Sequence, residues 1–410
     1  MNNHRNILIS GASIAGPALA YWLSRHGFSP TVVERTPTFR EGGYKVDIRG
    51  VAVEVADRMG ILNEIQQART DMQESIFVDS SNKPIVTLPA DFMGGRVGRD
   101  EEIMRGDLAH ILYEHTRDTT EYIFGDTITS IQEDEDGVQV TFERGAPRRF
   151  DLIVGADGLH SQVRNLAFGD ETQFTQSMGG YLAFFSLPNF LQLDRQEVYH
   201  GLPGKAASVY SMGKDAEAKC VFFFFSPTLN YDYRSVEQQR QILLDAFASD
   251  GWQIPRLLES ARHANDFYFD AISLIQMDRW STGRIALLGD AAYCASPASG
   301  QGTSLALVGA YVLAGELAEA SGDYQEAFAR YENEMRAYVE ANQKFAINSI
   351  KNMIPRSRTQ IWFQTQMMRL LPHLPWKGAF FEKITKEIQS AANAITLKEY
   401  QKASTETPSI

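Results

Sequence analysis

The stretch Ile7-Leu-Ile-Ser-Gly-Ala-Ser-Ile-Ala-Gly16, followed by Thr31-Val-Val-Glu34, decides the fold. The apolar run before Gly11 predicts a buried strand, and a glycine turn follows it. Residues 17–25 predict an apolar helix that ends before Gly27, and residues 31–34 predict a second strand. The chain therefore opens with a strand–helix–strand unit whose two strands are parallel.

The glycine turn has the residue types that a dinucleotide needs. Gly11 allows the sharp exit from the strand, and Gly16 lets the helix pack closely on the sheet. The helix N-terminus then offers free N–H groups to a pyrophosphate, while Glu34 can accept hydrogen bonds from ribose hydroxyls. A carboxylate there suits FAD or NAD and opposes NADP. Ser13 replaces the second glycine of the usual motif, so a purely structural strand–turn–helix stays open.

Two later strands also end in glycine and aspartate, namely Asp151-Leu-Ile-Val-Gly-Ala-Asp157 and Arg284-Ile-Ala-Leu-Leu-Gly-Asp290. Such endings belong at the carboxyl edge of a doubly wound sheet, where ligands bind. Residues 74–103 and 172–277 instead alternate and are rich in aromatic residues, which predicts antiparallel strands of an inserted domain. From residue 323 the pattern turns helical.

Composition excludes several classes of partner. The 410 residues carry a net charge of −12 with no Lys/Arg-rich block, which does not suit nucleic acid or an anionic membrane surface. Two distant cysteines, with no CxxC or HExxH motif, predict no metal site. The absence of an apolar run of about 18 residues predicts no membrane insertion. The few cysteines and the absence of a leader at the N-terminus predict a cytoplasmic protein. The sequence does not set the oligomeric state, so a monomer and a homodimer both stay open.

Two further motifs point to a known family. They are Gly155-Ala-Asp-Gly158 with Ser161 and Arg164, and Gly289-Asp290-Ala-Ala with Pro297 and Gly300-Gln-Gly302. Together with the first glycine turn they resemble the aromatic-hydroxylase family of flavoprotein monooxygenases, whose best-known member is para-hydroxybenzoate hydroxylase. The resemblance implies an α/β fold, with a Rossmann-like doubly wound FAD-binding domain, an inserted antiparallel β-sheet substrate domain and C-terminal helices. The expected boundaries are 1–73, 104–171 and 278–322 for FAD, 74–103 and 172–277 for substrate, and 323–402 for the helices.

The resemblance also implies a set of cofactor-binding residues. Asp290 would meet the FAD ribityl or pyrophosphate, Asp157 would serve FAD and the passing nicotinamide, and Arg105 would contact the ribose-pyrophosphate side. Lys45, Asp47 and Arg49 would lie near the flavin, although a charged loop is an alternative for them, as a surface position is for Arg105. The whole expected set is Gly11, Ser13, Ala15, Gly16, Glu34, Arg35, Lys45, Asp47, Arg105, Asp157, Arg164, Gly289, Asp290, Pro297, Gly300, Gln301 and Gly302.

The implied reaction needs no catalytic side chain. In the family, NADPH or NADH reduces FAD, O2 adds at flavin C4a, and the hydroperoxide passes one oxygen atom to a small organic substrate. Only one GxGxxG-like site is present, so NAD(P)H would bind transiently. The alternatives are a flavin-dependent reductase or dehydrogenase of the same fold and a non-catalytic flavoprotein.

The substrate is less constrained by the sequence. The compact length and long C-terminal helices look similar to the tetracycline-inactivating monooxygenases, so an aromatic or polyketide-like drug is expected ahead of a phenolic or quinoid metabolite. Strand periodicity suggests Tyr181, Phe184, Phe222 and Phe224 as substrate contacts, with core packing as the alternative. Tyr293, Ser304 and Gly309 depart from residues that are frequent in the family.

Overall fold

A computed structural model describes residues 6–39, 42–370, 374–375 and 377–400. Its strands are β1 (Asn6–Ser10), β2 (Ser29–Glu34), β3 (Lys45–Ile48), β4 (Glu74–Val78), β5 (Pro84–Pro89), β6 (Glu101–Met104), β7 (Glu121–Phe124), β8 (Ile128–Asp134), β9 (Gly137–Phe142), β10 (Arg148–Phe150), β11 (Leu152–Gly155), β12 (Thr175–Leu187), β13 (Gln196–Leu202), β14 (Lys205–Ser211), β15 (Ala218–Phe225), β16 (Tyr268–Ile275), β17 (Ser281–Thr282) and β18 (Ile285–Leu287).

The helices are α1 (Ala15–Arg25), α2 (Val51–Met59), α3 (Leu62–Gln67), α4 (Ala90–Gly94), α5 (Arg105–Glu114), α6 (Gln162–Phe168), α7 (Val236–Phe247), α8 (Ile254–His263), α9 (Asp290–Tyr293), α10 (Gly302–Glu319), α11 (Tyr324–Met353), α12 (Arg358–Leu370) and α13 (Lys377–Ala392). Two short 3-10 turns cover Glu171–Gln173 and Pro297–Ser299. None of the described helices is long and apolar enough to cross a membrane.

A six-stranded sheet forms the first layer of the molecule, in the order β17-β18-β11-β1-β2-β7. All its neighbours are parallel except β17 and β18. β1 is buried between β11 and β2, which explains its unbroken apolar run. The helix α10, almost entirely buried, packs against α1 beside this sheet. The predicted Rossmann-like domain is thereby confirmed.

A seven-stranded sheet forms the second layer, in the order β16-β12-β15-β14-β13-β4-β5. Its neighbours are antiparallel except for β13 and β4, which run parallel. Helices α7 and α8 cover one face of it, where an apolar core forms. Its strands come from residues 74–89 and 175–275, in agreement with an inserted antiparallel sheet.

The C-terminal helices end in a segment that returns to the first layer. After α13, the ring of Tyr400 packs on Gly315 of α10, where a Cβ would meet it at 2.2 Å. The Tyr400 hydroxyl and the Lys398 ammonium both donate to the buried Glu316 carboxylate, at 2.8 and 2.9 Å. Residues 371–373, 376, 401 and 402 of the expected segment 323–402 lie outside the described residues.

Candidate functional site

Two glycines of the first turn are fixed by close backbone contacts. Gly11 has a φ of +108°, and a Cβ on it would lie 2.4 Å from the carbonyl oxygen of Ala156. A Cβ on Gly16 would lie 1.9 Å from the carbonyl oxygen of Gly11. Larger residues cannot occupy either position without moving the backbone. The loop between β1 and α1 therefore forms a tight backbone cradle in front of the helix N-terminus.

Glu34 closes one side of this cradle. One carboxylate oxygen accepts a hydrogen bond from the backbone N–H of Ala12 at 2.9 Å. The other accepts hydrogen bonds from the backbone N–H and the hydroxyl of Thr36, at 3.0 and 2.9 Å. These contacts hold the carboxylate at the carboxyl end of β2, where a ribose-binding acid is expected.

A cavity of about 410 Å³ lies at the carboxyl edge of the six-stranded sheet. We call it the nucleotide cavity. Among the expected cofactor residues, it is lined by Gly11, Ser13, Glu34, Arg35, Arg105 and Asp157. The six residues come from four separate parts of the chain, and the fold brings them to one place.

The side chains of Asp157 and Arg164 form hydrogen bonds with other parts of the protein. The Asp157 carboxylate accepts hydrogen bonds from the backbone N–H groups of Gln162 and Val163, at 2.9 and 3.1 Å, and so caps α6. Arg164 is fully buried and donates to the carbonyl of Ala291 at 2.8 Å and to Glu171 at 3.0 Å. Burial lowers the pKa of Arg164, and Glu171 raises it in part. Arg164 thus ties α6 to the α9 turn, and its side chain is not among those that line the nucleotide cavity.

The second and third glycine turns meet at the start of α10. Gly289 packs against Ala15 of α1, and a Cβ on Gly302 would lie 3.8 Å from the Asp290 carboxylate. Asp290 is exposed, yet the surrounding protein restricts its solvation and raises the pKa of its carboxyl group. Gln301 is fully buried, and neither polar atom of its side chain has a hydrogen-bond partner among the described residues.

Arg49 fixes the turn before α10. Its guanidinium donates to the carbonyl of Gly300 at 3.2 Å and pairs with Asp47. Its backbone N–H donates to the hydroxyl of Ser304 at 3.2 Å. Pro297 is exposed at the start of the preceding 3-10 turn. The loop of residues 45–50 therefore positions the turn that precedes α10.

The departures from the family pattern have structural reasons. The Tyr293 hydroxyl accepts a hydrogen bond from the Tyr331 hydroxyl at 3.0 Å. A Cβ on Gly309 would lie 2.1 Å from that same Tyr293 oxygen. The tyrosine and the glycine thus form one packing pair, and Ser304 binds the backbone of Arg49.

Lys45 and Asp47 belong to a buried ionic network that joins the two-stranded sheet of β3 and β6 to β13 of the seven-stranded sheet. Lys45 donates to Glu197 at 2.6 Å and lies 3.4 Å from Glu102. Arg96 binds both Asp47 and Glu102, at 2.9 and 2.8 Å. Burial raises the pKa of Glu102, but Lys45 and Arg96 outweigh it and hold that pKa below its usual value. The charged groups of Lys45 and Asp47 are thus occupied by protein partners.

Aromatic and charged side chains gather around Tyr44, beside Arg105. The Phe184 ring contacts Tyr44 and Tyr268, at centroid distances of 4.5 and 4.6 Å. Burial raises the pKa of Tyr44; Arg105 lowers it, and Asp290 and Asp270 raise it further. We call Tyr44, Phe184, Tyr268, Asp270 and Asp290 the Tyr44 cluster. Arg105 connects this cluster with the nucleotide cavity that it also lines.

The four expected substrate residues lie on different faces of the seven-stranded sheet. Tyr181, Phe222 and Phe224 are buried in the core under α7 and α8. Phe222 and Phe224 both pack against Phe247, at centroid distances of 4.6 and 5.9 Å. Only Phe184 points to the face that carries the Tyr44 cluster. A ligand beside Tyr44 could therefore contact Phe184 and not the other three.

His160 lines the nucleotide cavity, although the sequence assigned it no role. Its ring bonds to Glu171 at 2.8 Å and to Asp270 at 3.2 Å, and it stacks on Tyr233. Burial lowers the pKa of His160, but the two carboxylates outweigh this and raise it to about 9. Tyr233, Arg234 and the segment 126–129 also line the cavity. His160 lies inside the motif Asp157-Gly-Leu-His, whereas no sequence signal marks Tyr233 and Arg234.

The described residues fit an FAD molecule. Neither Gly11 nor Gly16 has room for a side chain, so the cradle is formed by backbone atoms. Glu34 lies beside the cradle, and Arg35, Arg105 and the protonated His160 add positive charge to the cavity. A pyrophosphate needs such N–H groups and cations. Beside the start of α10, the unpartnered amide of Gln301 leaves hydrogen-bonding capacity that a bound group can satisfy.

Comparison with known proteins identifies relatives along the whole chain. Residues 4–346 match the family model described as FAD binding domain. A flavin-dependent monooxygenase of Legionella longbeachae is 38% identical over 98% of this chain and 100% of its own length. An uncharacterised Mycobacterium tuberculosis protein is 48% identical over 86% of this chain and 95% of its own length.

Solved structures give the same result for the fold. The tetracycline destructase Tet(51) has a TM-score of 0.85 at 37% identity, covering 97% of this chain and 100% of its own. The tetracycline destructase Tet(55) has a TM-score of 0.84 at 38% identity, covering 98% and 100%. Klebsiella pneumoniae HpxO complexed with FAD and uric acid, at 20% identity and a TM-score of 0.70, shares the fold.

Proposed function

The chain belongs to the FAD-binding-domain family of flavin-dependent monooxygenases, and from this premise we propose that it uses NADPH or NADH and O2 to hydroxylate a tetracycline-type antibiotic in the cytoplasm. The observation that carries the proposal is the similarity to Tet(51) and Tet(55) over almost the full chain. That similarity includes the C-terminal helical part, which lies beyond the matched FAD-binding residues.

FAD, when bound, would supply the redox chemistry, namely electron transfer from NAD(P)H to O2. The glycine cradle and Glu34 would hold its adenosine side, and Arg35 and Arg105 would balance its phosphates. The N-terminus of α10 would offer backbone N–H groups to the flavin ring. Asp157 would act mainly through the α6 cap that it forms.

The Tyr44 cluster would hold the substrate. Its aromatic rings at Tyr44, Phe184 and Tyr268 offer an apolar wall for a fused-ring compound, and Asp270 and Asp290 add polar contacts. An apolar wall also keeps water from the reacting atoms, which limits the wasteful release of H2O2. The protein then acts by positioning the substrate, without a nucleophile of its own.

The test is NADPH and NADH oxidation by the purified yellow protein, with and without a tetracycline, with H2O2 and product mass recorded. We expect faster oxidation and a product heavier by one oxygen atom. Stimulated oxidation with a reduced product would instead indicate a reductase of the same fold. No stimulation by any tetracycline would refute the substrate assignment, and a phenolic or quinoid panel would then be tested. A protein that binds FAD but never oxidises NAD(P)H would refute the reaction.

A further inference from the structure

The segment from Ala341 to Phe381 differs in charge from the rest of the chain. It contains six basic residues and no Asp or Glu, in a chain that has 51 acidic residues. The whole chain has a net charge of −12 and the segment +6, so the remainder carries −18. Its basic residues are Lys344, Lys351, Arg356, Arg358, Arg369 and Lys377. The negative charge of the protein is therefore interrupted over this one stretch.

The helix α12 in the middle of this segment exposes large apolar side chains. Trp362 is 63% exposed, Phe363 61%, Leu370 55% and Met367 39%. Phe363, Met367 and Leu370 follow each other at spacings of four and three, so they lie along one side of the helix. Four exposed large apolar residues on a helix of 13 residues form a contiguous surface rather than scattered single side chains.

The other side of α12 is occupied by the protein. Ile361, Gln364, Thr365 and Met368 are half-buried, and the helix packs against β5 and β13 of the seven-stranded sheet. Arg358 and Arg369 lie near the two ends of the helix and are both exposed. Neither forms a salt bridge among the described residues, although Arg369 interacts electrostatically with Asp79. Within the described part of the chain, no residue covers the exposed apolar side, while the helix itself is anchored.

We propose that α12 binds the surface of an anionic lipid bilayer. Trp362, Phe363, Met367 and Leu370 would enter the boundary between headgroups and acyl chains, and Arg358 and Arg369 would meet the phosphates. A helix with aromatic and aliphatic residues on one side and basic residues beside them has the composition of an interfacial helix. Because the remainder carries −18, this basic stretch is the part of the chain whose charge suits an anionic surface.

A second copy of the chain is a less suitable occupant. A symmetric contact between two α12 surfaces would bring the Arg358 and Arg369 side chains of both copies together, and like charges oppose such pairing. The net negative charge of the whole chain predicts no affinity for anionic membranes, but residues 341–381 carry a net positive charge. The inference does not depend on the reaction that the enzyme performs.

The experiment is flotation of the purified full-length, FAD-loaded protein with phosphatidylcholine vesicles that contain or lack phosphatidylglycerol. We expect binding only with phosphatidylglycerol, weakening as salt rises. The double variant Trp362→Ser/Phe363→Ser should bind about tenfold more weakly, because it removes most of the aromatic area. The matched control is Val236→Ser, which removes a 44% exposed apolar residue from α7 and should bind like the original protein.

Flavin absorbance and the thermal midpoint of both variants show whether they are folded. A double variant that keeps its flavin and still binds the vesicles as well as the original protein would overturn the proposal. Failure of the original protein to bind phosphatidylglycerol vesicles would do so as well. If sedimentation instead shows a dimer that the double variant loses, the surface is an interface between copies and the lipid proposal is wrong.

Discussion

The nucleotide cavity and the Tyr44 cluster differ in the part of the chain that forms them. At the cavity, the decisive contacts are backbone contacts, as at Gly11 and Gly16, where a single Cβ has no room. At the cluster, the decisive contacts are made by side chains, and their direction depends on which face of a strand they occupy. A site built from backbone atoms is specified by glycines at fixed spacing in the sequence. A side-chain site also depends on strand pairing, which involves residues far apart in the chain.

Gly16→Ala tests the backbone site and should have the largest effect on FAD binding. The added Cβ meets the Gly11 carbonyl oxygen, and relieving that contact costs about 3 kcal/mol, or about a hundredfold in FAD affinity. FAD content, measured by absorbance after gel filtration, should fall to near zero. The control is Gly201→Ala, because a Cβ there meets nothing within 4 Å. Equal FAD content in the two variants would show that the cradle is not needed.

Phe222→Ala and Phe184→Ala compare the two faces of the seven-stranded sheet. Phe222 is fully buried, so its truncation should lower the free energy of unfolding in urea by about 3–5 kcal/mol without changing KM. Phe184→Ala should lower it less and raise the KM for the substrate about tenfold, since it removes one aromatic wall. A KM that rises only in Phe222→Ala would contradict this prediction, because the substrate would then bind on the face under α7 and α8.

Glu34→Gln tests the carboxylate side chain that lines the adenosine side of the nucleotide cavity. The amide keeps the shape but loses the charge, and a charge-assisted hydrogen bond to ribose contributes about 1.5–3 kcal/mol. FAD affinity, measured by fluorescence quenching, should fall about tenfold or slightly more. Glu135→Gln, an exposed acid in the β8–β9 turn, is the control. The idea fails if both variants bind FAD equally well.

The smallest effect concerns His160, which lies between the two regions. Its pKa is raised in the folded protein to about 9, so the stabilisation that it gives is complete below about 6.5 and is lost as pH rises to 9. The loss should be on the order of 1 kcal/mol after solvent screening. Urea midpoints of the FAD-free protein should decline over this interval, and His160→Gln should flatten the decline. An identical decline in the variant would assign it to another group.

The sequence predicted the parallel sheet, the three glycine turns and the C-terminal helices because each depends on local patterns. It suggested Tyr181, Phe184, Phe222 and Phe224 as substrate contacts, with core packing as the alternative, because a period of two does not show which face meets the ligand. Tyr181, Phe222 and Phe224 lie in the core under α7 and α8, so their part of that suggestion stays a prediction. A bulge between Ser177 and Gly180 further shifts the pairing of β12.

Other parts of the site depend on contacts between distant residues. Lys45 pairs with Glu197, and Tyr293 packs beside Gly309, only in the folded chain. The motif around Asp157 was recognised from the sequence. The motif does not show, however, that the Asp157 carboxylate also caps α6. Tyr233 and Arg234 reach the cavity from a segment without any pattern.

The strand order of the six-stranded sheet has a consequence for protein synthesis. β11 lies between β1 and β18, although β18 begins only at Ile285. At ribosomal rates, about 130 residues separate the emergence of the two strands, or roughly ten seconds. During that time one edge of β11 has no partner, and such an edge attracts other strands. Nascent chains stalled between these strands should therefore need a chaperone, and they should acquire a protected cofactor cradle only after β18 has left the ribosome.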